Sequence, residues 1–177
     1  ATDVSVRKQL EEALRREKYF TQNLIDTAQA ILLVLDTEGR IVRFNPFMED
    51  LCGYKLDEVR GMDWFSTFLP EQNRNRIKEV FRTAVTGNET RGNIDLIVAK
   101  DGREIIVEWY DKTLKDADGN TIGLLTIGQD ITSRKRAEEA LKNAHNELEQ
   151  RVKERTAELQ ESNRFTSGIE PPIPESL

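Results

Sequence analysis

Along this chain the hydrophobic positions alternate between helical and strand-like spacing. Residues 3–29 carry Val6, Leu10, Ala13, Phe20 and Leu24 at steps of four and three, with Glu17 interrupting the stripe. That spacing predicts one narrow apolar seam on a charged helix. From Ala30 the period shortens. ILLVLD, then TEG, then RIVRFN read as two short strands joined by a tight glycine turn. Residues 45–86 return to helical spacing as short helices punctuated by Gly53 and Gly61, with Asn45 or Asp50 placed to start a turn. A longer helix opens at Pro70, presents Ile77, Val80, Phe81, Ala84 and Val85 on one side, and is closed by Gly87.

Strand spacing follows again. NIDLIVAK alternates Ile94, Leu96 and Val98 against Asp95, Ile97 and Ala99, and Asp101-Gly102 centres a hairpin turn. Ile105, Val107 and Trp109 then share one face of the next strand. After a turn at Asp118-Gly119, the last strand is apolar on both sides: Ile122, Leu124, Thr126 and Gly128 on one, Leu125, Ile127, Gln129 and Ile131 on the other. A sheet with helices on one face usually turns a polar side outward. An apolar outer face therefore calls for a cover, supplied by the leading helix or by a second subunit.

The strand gives way at Asp130-Ile131-Thr132 to a run without Gly or Pro over 133–164. A helix of ~30 residues is roughly 45 Å long, more than a small core needs. Its apolar positions are Ala137, Leu141, Ala144, Leu148, Val152 and Leu159, with Arg155 inside the last step. Two successive steps of four at Leu148 and Val152 form a stutter, which locally unwinds a left-handed coiled coil. Such a helix is marginal alone, so pairing with a second copy is its expected source of order. Arg134, Lys135 and Arg136 sit in the first turn, where cations oppose the helix dipole, and ask for acidic partners such as Asp130. The tail, 165–177, contains PPIP and is expected to be irregular.

The predicted class is α+β: a helix over 1–29, a core over 30–132 with five antiparallel strands and short helices on one face, and a helix over 133–164. Composition narrows the functions. A net charge of -6 argues against a non-specific nucleic-acid surface. A single cysteine, Cys52, excludes an internal disulfide framework and a cysteine-based zinc site, and is read as a small buried hydrophobe. No apolar run is long enough to span a membrane, and no signal peptide is visible. A cytoplasmic piece of a longer protein is expected, whether or not its parent is membrane-attached. No phosphate loop or His-carboxylate cluster is present, and HNELEQ around His145 does not match a kinase phosphoacceptor motif. The chain itself is not expected to be an enzyme.

Residues 30–132 resemble a PAS domain with its PAC segment. The match rests on FNPFMEDLCGYKLDEVRG, DWFSTFLPE, KDGRE, LKDADGNTIG and GQDIT, in that order. The resemblance implies a PAS fold with a central cavity, and a signal relay through Asp130, Ile131 and Thr132 into the outgoing helix. RVKERTAELQ is similar to linkers that precede histidine kinase or diguanylate cyclase output domains. The implied role is a sensory module that relays a ligand or a conformational state through a parallel homodimer. A ligand-free dimerisation and relay element is the alternative. Candidate cavity residues are Trp64, Phe65, Phe68, Trp109, Thr126 and Gly128. His-ligated heme is disfavoured, because the single His145 lies on the outgoing helix. Cysteinyl-flavin chemistry is disfavoured as well, because Trp64 stands where the reactive cysteine would fall and Gly128 where a flavin-contacting glutamine would. A non-covalent flavin or another small ligand stays open.

Overall fold

The computed structural model describes residues 2–88 and 90–168. Helix α1 (Thr2–Thr27) leads into strands β1 (Ile31–Leu35) and β2 (Ile41–Phe44). Four helices follow: α2 (Pro46–Cys52), α3 (Leu56–Val59), α4 (Trp64–Phe68) and α5 (Glu71–Val85). Strands β3 (Arg91–Val98), β4 (Glu104–Lys115) and β5 (Thr121–Asp130) precede α6 (Thr132–Ser167). The strands form one antiparallel sheet in the order β2-β1-β5-β4-β3.

Strand alternation decides which face is buried. β4 buries Ile105, Val107 and Trp109 as its period-two pattern predicts. In β3 the buried side is that of Asp95, Ile97 and Ala99, so a carboxylate points inward while Ile94 is exposed. Helices α2, α4 and α5 close over this inner face with Met48, Cys52, Trp64, Phe65, Phe68, Phe81 and Ala84.

Within residues 2–132, the described residues leave the outer face open. Ile94, Tyr110 and Ile127 are each more than 40% exposed there, so the leading helix does not supply the cover that the apolar last strand calls for. Ile122, placed by alternation on the inner row, is also exposed, because it lies near the open end of β5. The seam of α1 is open as well: Val6, Leu10, Phe20 and Leu24 all face solvent.

At the base of α1, Asn45 ties three elements together. Its Nδ2 donates to the carbonyls of Ala30 (2.8 Å) and Ile25 (3.3 Å), and its Oδ1 accepts from the amides of Leu32 (3.1 Å) and Met48 (3.3 Å). The last of these caps the N-terminus of α2, whose Pro46 needs no amide partner. Both hydrogens and both lone pairs of a fully buried amide are therefore used. Nearby, Gln22 of α1 accepts from Arg43 of β2.

Helix α6 buries no residue of its own, and Leu141, Leu148, Val152 and Leu159 are exposed along it. Arg134 and Lys135 meet Glu138 one turn on, so the helix itself supplies an acidic partner to the first-turn cations. It continues through Phe165 and Thr166 to Ser167, further than the proline-rich tail suggested. The rest of that tail, 169–177, lies outside the described residues.

Candidate functional site

The inner face borders a partly open cavity of about 50 Å³ between the sheet and helices α4 and α5. Its aromatic wall is Trp64, Phe65, Phe81 and Trp109, and its aliphatic wall includes Leu33, Leu35 and Leu124. The Trp64 and Trp109 rings meet edge to face, with centroids 5.8 Å apart. Asp63 caps α4 by accepting from the Ser66 amide at 2.8 Å, which fixes the turn presenting Trp64 and Phe65.

Four of the six candidate cavity residues, Trp64, Phe65, Trp109 and Thr126, line this space. Phe68 and Gly128 do not. Phe68 lies behind the wall, fully buried and stacked on Trp64 at 4.5 Å. Gly128 pairs across the sheet with Trp109, and a Cβ there would come within 2.5 Å of the indole. The missing side chain makes room for Trp109, which takes the space that a longer residue would otherwise fill.

The polar lining was not legible as a site in the sequence. Asn93 and Asp95 reach it from β3, and Asp111 and Thr126 from β4 and β5. Asp95 is buried and accepts from Arg76 of α5. Burial holds its carboxyl above the usual carboxylate range, and the Arg76 interaction opposes that rise. Asp111 accepts from the Thr90 hydroxyl, and its carboxyl is also raised by burial, against the lowering effect of bonds from Thr90 and Thr126. The Nδ2 of Asn93 is buried and has no hydrogen-bond partner. The available signal was strand parity. Asp111 is two residues beyond Trp109, and Asp95 shares the parity of Ile97, so both acids belong to the inward rows.

The strand that supplies Leu124 and Thr126 ends at the Asp130-Ile131-Thr132 corner. Ile131 is buried and donates its amide to the Ile106 carbonyl of β4 at 2.9 Å. The Thr132 hydroxyl accepts from the Ile106 amide at 2.9 Å and donates to Asp130 Oδ1 at 2.6 Å. Asp130 also accepts from the Thr132 amide at 2.9 Å. Asp130 thus orients the first residue of α6. Ile106, which carried no signal in the sequence, anchors the corner through both of its backbone groups.

Cys52 is not among the residues that line the cavity. Cys52 is fully buried, its thiol pushed up by desolvation, so it is poorly disposed to form a thiolate. His145 is exposed on α6, facing Glu149 at 3.3 Å. Among the described residues no His, Cys, Asp and Glu group has metal-site geometry, and no helix is long and apolar enough to cross a membrane.

A family model described as a PAS fold matches residues 25–136, more than half of the chain. The chain belongs to the PAS family. This PAS domain is 31% identical over 158 residues to the cell-division control histidine kinase PdhS of Brucella ovis, covering 82% of this chain and 14% of that protein. It is 26% identical over 153 residues to the sensor histidine kinase TmoS of Ectopseudomonas mendocina, covering 84% of this chain and 16% of that one. Among solved structures, a PAS domain from Colwellia psychrerythraea matches with a TM-score of 0.59 and 20% identity, over 68% of this chain and 98% of that one. The chain thus spans a small part of its histidine kinase relatives, and its kinship with their PAS domains supports a sensory signalling role.

Proposed function

We propose that this PAS domain is the sensory module of a larger cytoplasmic or membrane-attached signalling protein, with a histidine kinase or diguanylate cyclase as output. A small molecule enters the cavity and shifts β5, and the shift passes through Asp130, Ile131 and Thr132 into α6. Two copies pair in parallel through the seams of α1 and α6, and the open outer sheet face takes part in that contact. The observation that carries this reading is the double duty of β5, which lines the cavity at Leu124 and Thr126 and ends at the relay corner. A cavity of about 50 Å³ supports a reading without a flavin, and the purified domain is expected to be colourless. That small volume also favours the second reading, an unliganded dimerisation and relay element.

The test replaces Asp130 with Ala in the parent protein. Only exposed hydrogen bonds are lost, so the melting temperature of the domain should barely move. A bias of ~1.4 kcal/mol between two helix arrangements changes their ratio tenfold, so the response of the output to its signal should change clearly. Wild-type signalling throughout, or an unfolded core, would remove the corner from the relay. Light scattering at micromolar concentration tests the pairing, and a purely monomeric mass would exclude it for this chain.

A further inference from the structure

The polar groups of the cavity are unequal in what they still need. Asp95 receives Arg76, and Asp111 receives Thr90 and Thr126, yet a carboxylate offers about four lone-pair sites, so both can accept more. Asn93 is in the opposite position, with a buried Nδ2 that has a hydrogen to give and nothing to take it. A buried donor without a partner costs the empty domain stability. Among the described residues no Lys, Arg or His lines the cavity, so an anion would meet two carboxylates and no lining cation. A cation would suit the carboxylates but leave the Asn93 donor unanswered. A group with an N–H beside a carbonyl oxygen answers both.

Resting on the sensory reading above, we infer that the cavity recognises a small neutral molecule with an amide-type polar end. Its carbonyl oxygen accepts from Asn93 Nδ2, its N–H donates to Asp111 or Asp95, and its apolar part lies against Trp64 and Trp109. The volume sets the scale. About 10–15 Å³ of such space holds one water, so about 50 Å³ suits a group of roughly four heavy atoms.

The chain reports on this site directly, because its two tryptophans, Trp64 and Trp109, both line the cavity. Acetamide, acetate and acetamidinium share one four-atom skeleton and differ in charge. Each is titrated against the full chain to about 100 mM, since ligands of so few atoms bind weakly, with tryptophan emission as the readout. Acetamide should give a saturable change, acetamidinium a weaker one and acetate none. Asn93→Leu should weaken the acetamide response about tenfold while raising the melting temperature of the empty domain, since it removes an unpaired buried donor. Asp111→Asn, which replaces a carboxylate by an amide, should let acetate bind. Acetate binding to the wild type as well as acetamide does, or an unchanged acetamide response in folded Asn93→Leu, overturns the amide assignment and leaves a ligand-binding cavity in place. Silence towards all three compounds overturns both the assignment and the small-ligand reading it rests on.

Discussion

Two asparagines on opposite sides of this domain carry the same side chain in opposite circumstances. Asn45 sits where α1, β1 and α2 meet, and each of its four hydrogen-bonding positions is filled. Asn93 sits on the cavity wall with its Nδ2 buried and unmatched. A buried amide with every partner present holds chain segments together. One lacking a partner lowers the stability of the empty fold until something else completes it. The domain therefore separates a closed structural region at the base of α1 from a polar region left incomplete inside its sheet.

Breaking the closed side should have the largest effect. Asn45→Ala leaves two carbonyls and two amides without their side-chain partner and removes the cap of α2, and should cost about 3 kcal/mol. Urea denaturation measures it, and a cost below about 1 kcal/mol would mean that water replaces the amide without penalty. An intermediate effect is expected on β5, where Gly128 pairs with Ile31 of β1 and Trp109 of β4. Gly128→Ala forces a methyl group against Trp109 and should cost about 1–3 kcal/mol by overpacking. It should also change tryptophan emission, because the displaced indole lines the cavity; unchanged emission and stability would show that Trp109 moves aside freely.

The smallest effect sharpens the incomplete side. The Asp111 carboxyl is raised by burial, so the folded state binds a proton more tightly than the unfolded chain. Its contribution to stability is complete below the unfolded carboxylate range and is lost as pH rises through the raised value. Carboxyls with lowered values, such as Glu49 and Asp101, act in the opposite direction, so the useful quantity is a difference. Asp111→Asn should gain on the wild type as pH rises from about 4 towards neutrality. A difference that does not vary with pH would mean that the carboxylate is fully solvated.

The helices, the five strands and their hairpins were legible in the sequence because each rests on local periodicity, glycine turns and caps. The aromatic side of the cavity was legible too, since Trp64, Phe65 and Trp109 stand out in any core. Its polar side was not, because Asn93, Asp95 and Asp111 look like ordinary surface residues until strand parity turns them inward. Phe68 was drawn into the candidate set as an aromatic and Gly128 by its place on the last strand, whereas the structure gives them packing work behind and beside the wall. The four bonds of Asn45 were hidden for another reason. A residue able to start a turn is visible locally, but carbonyls delivered by a preceding helix are a tertiary fact.

The order of strands also sets the order of assembly. β1 is among the first elements made, yet its central neighbour is β5, with Ile31 opposite Gly128. Non-local pairings of this kind raise contact order and slow folding, because a long loop must close before the contacts form. During synthesis the pairing of β1 must wait until the whole intervening chain has emerged. The cavity gains Leu124 and Thr126 only at that step, immediately before α6 begins to leave the ribosome. A nascent chain that stalls before Gly128 would expose the apolar rows of β1 and β4 to chaperones and to other strands.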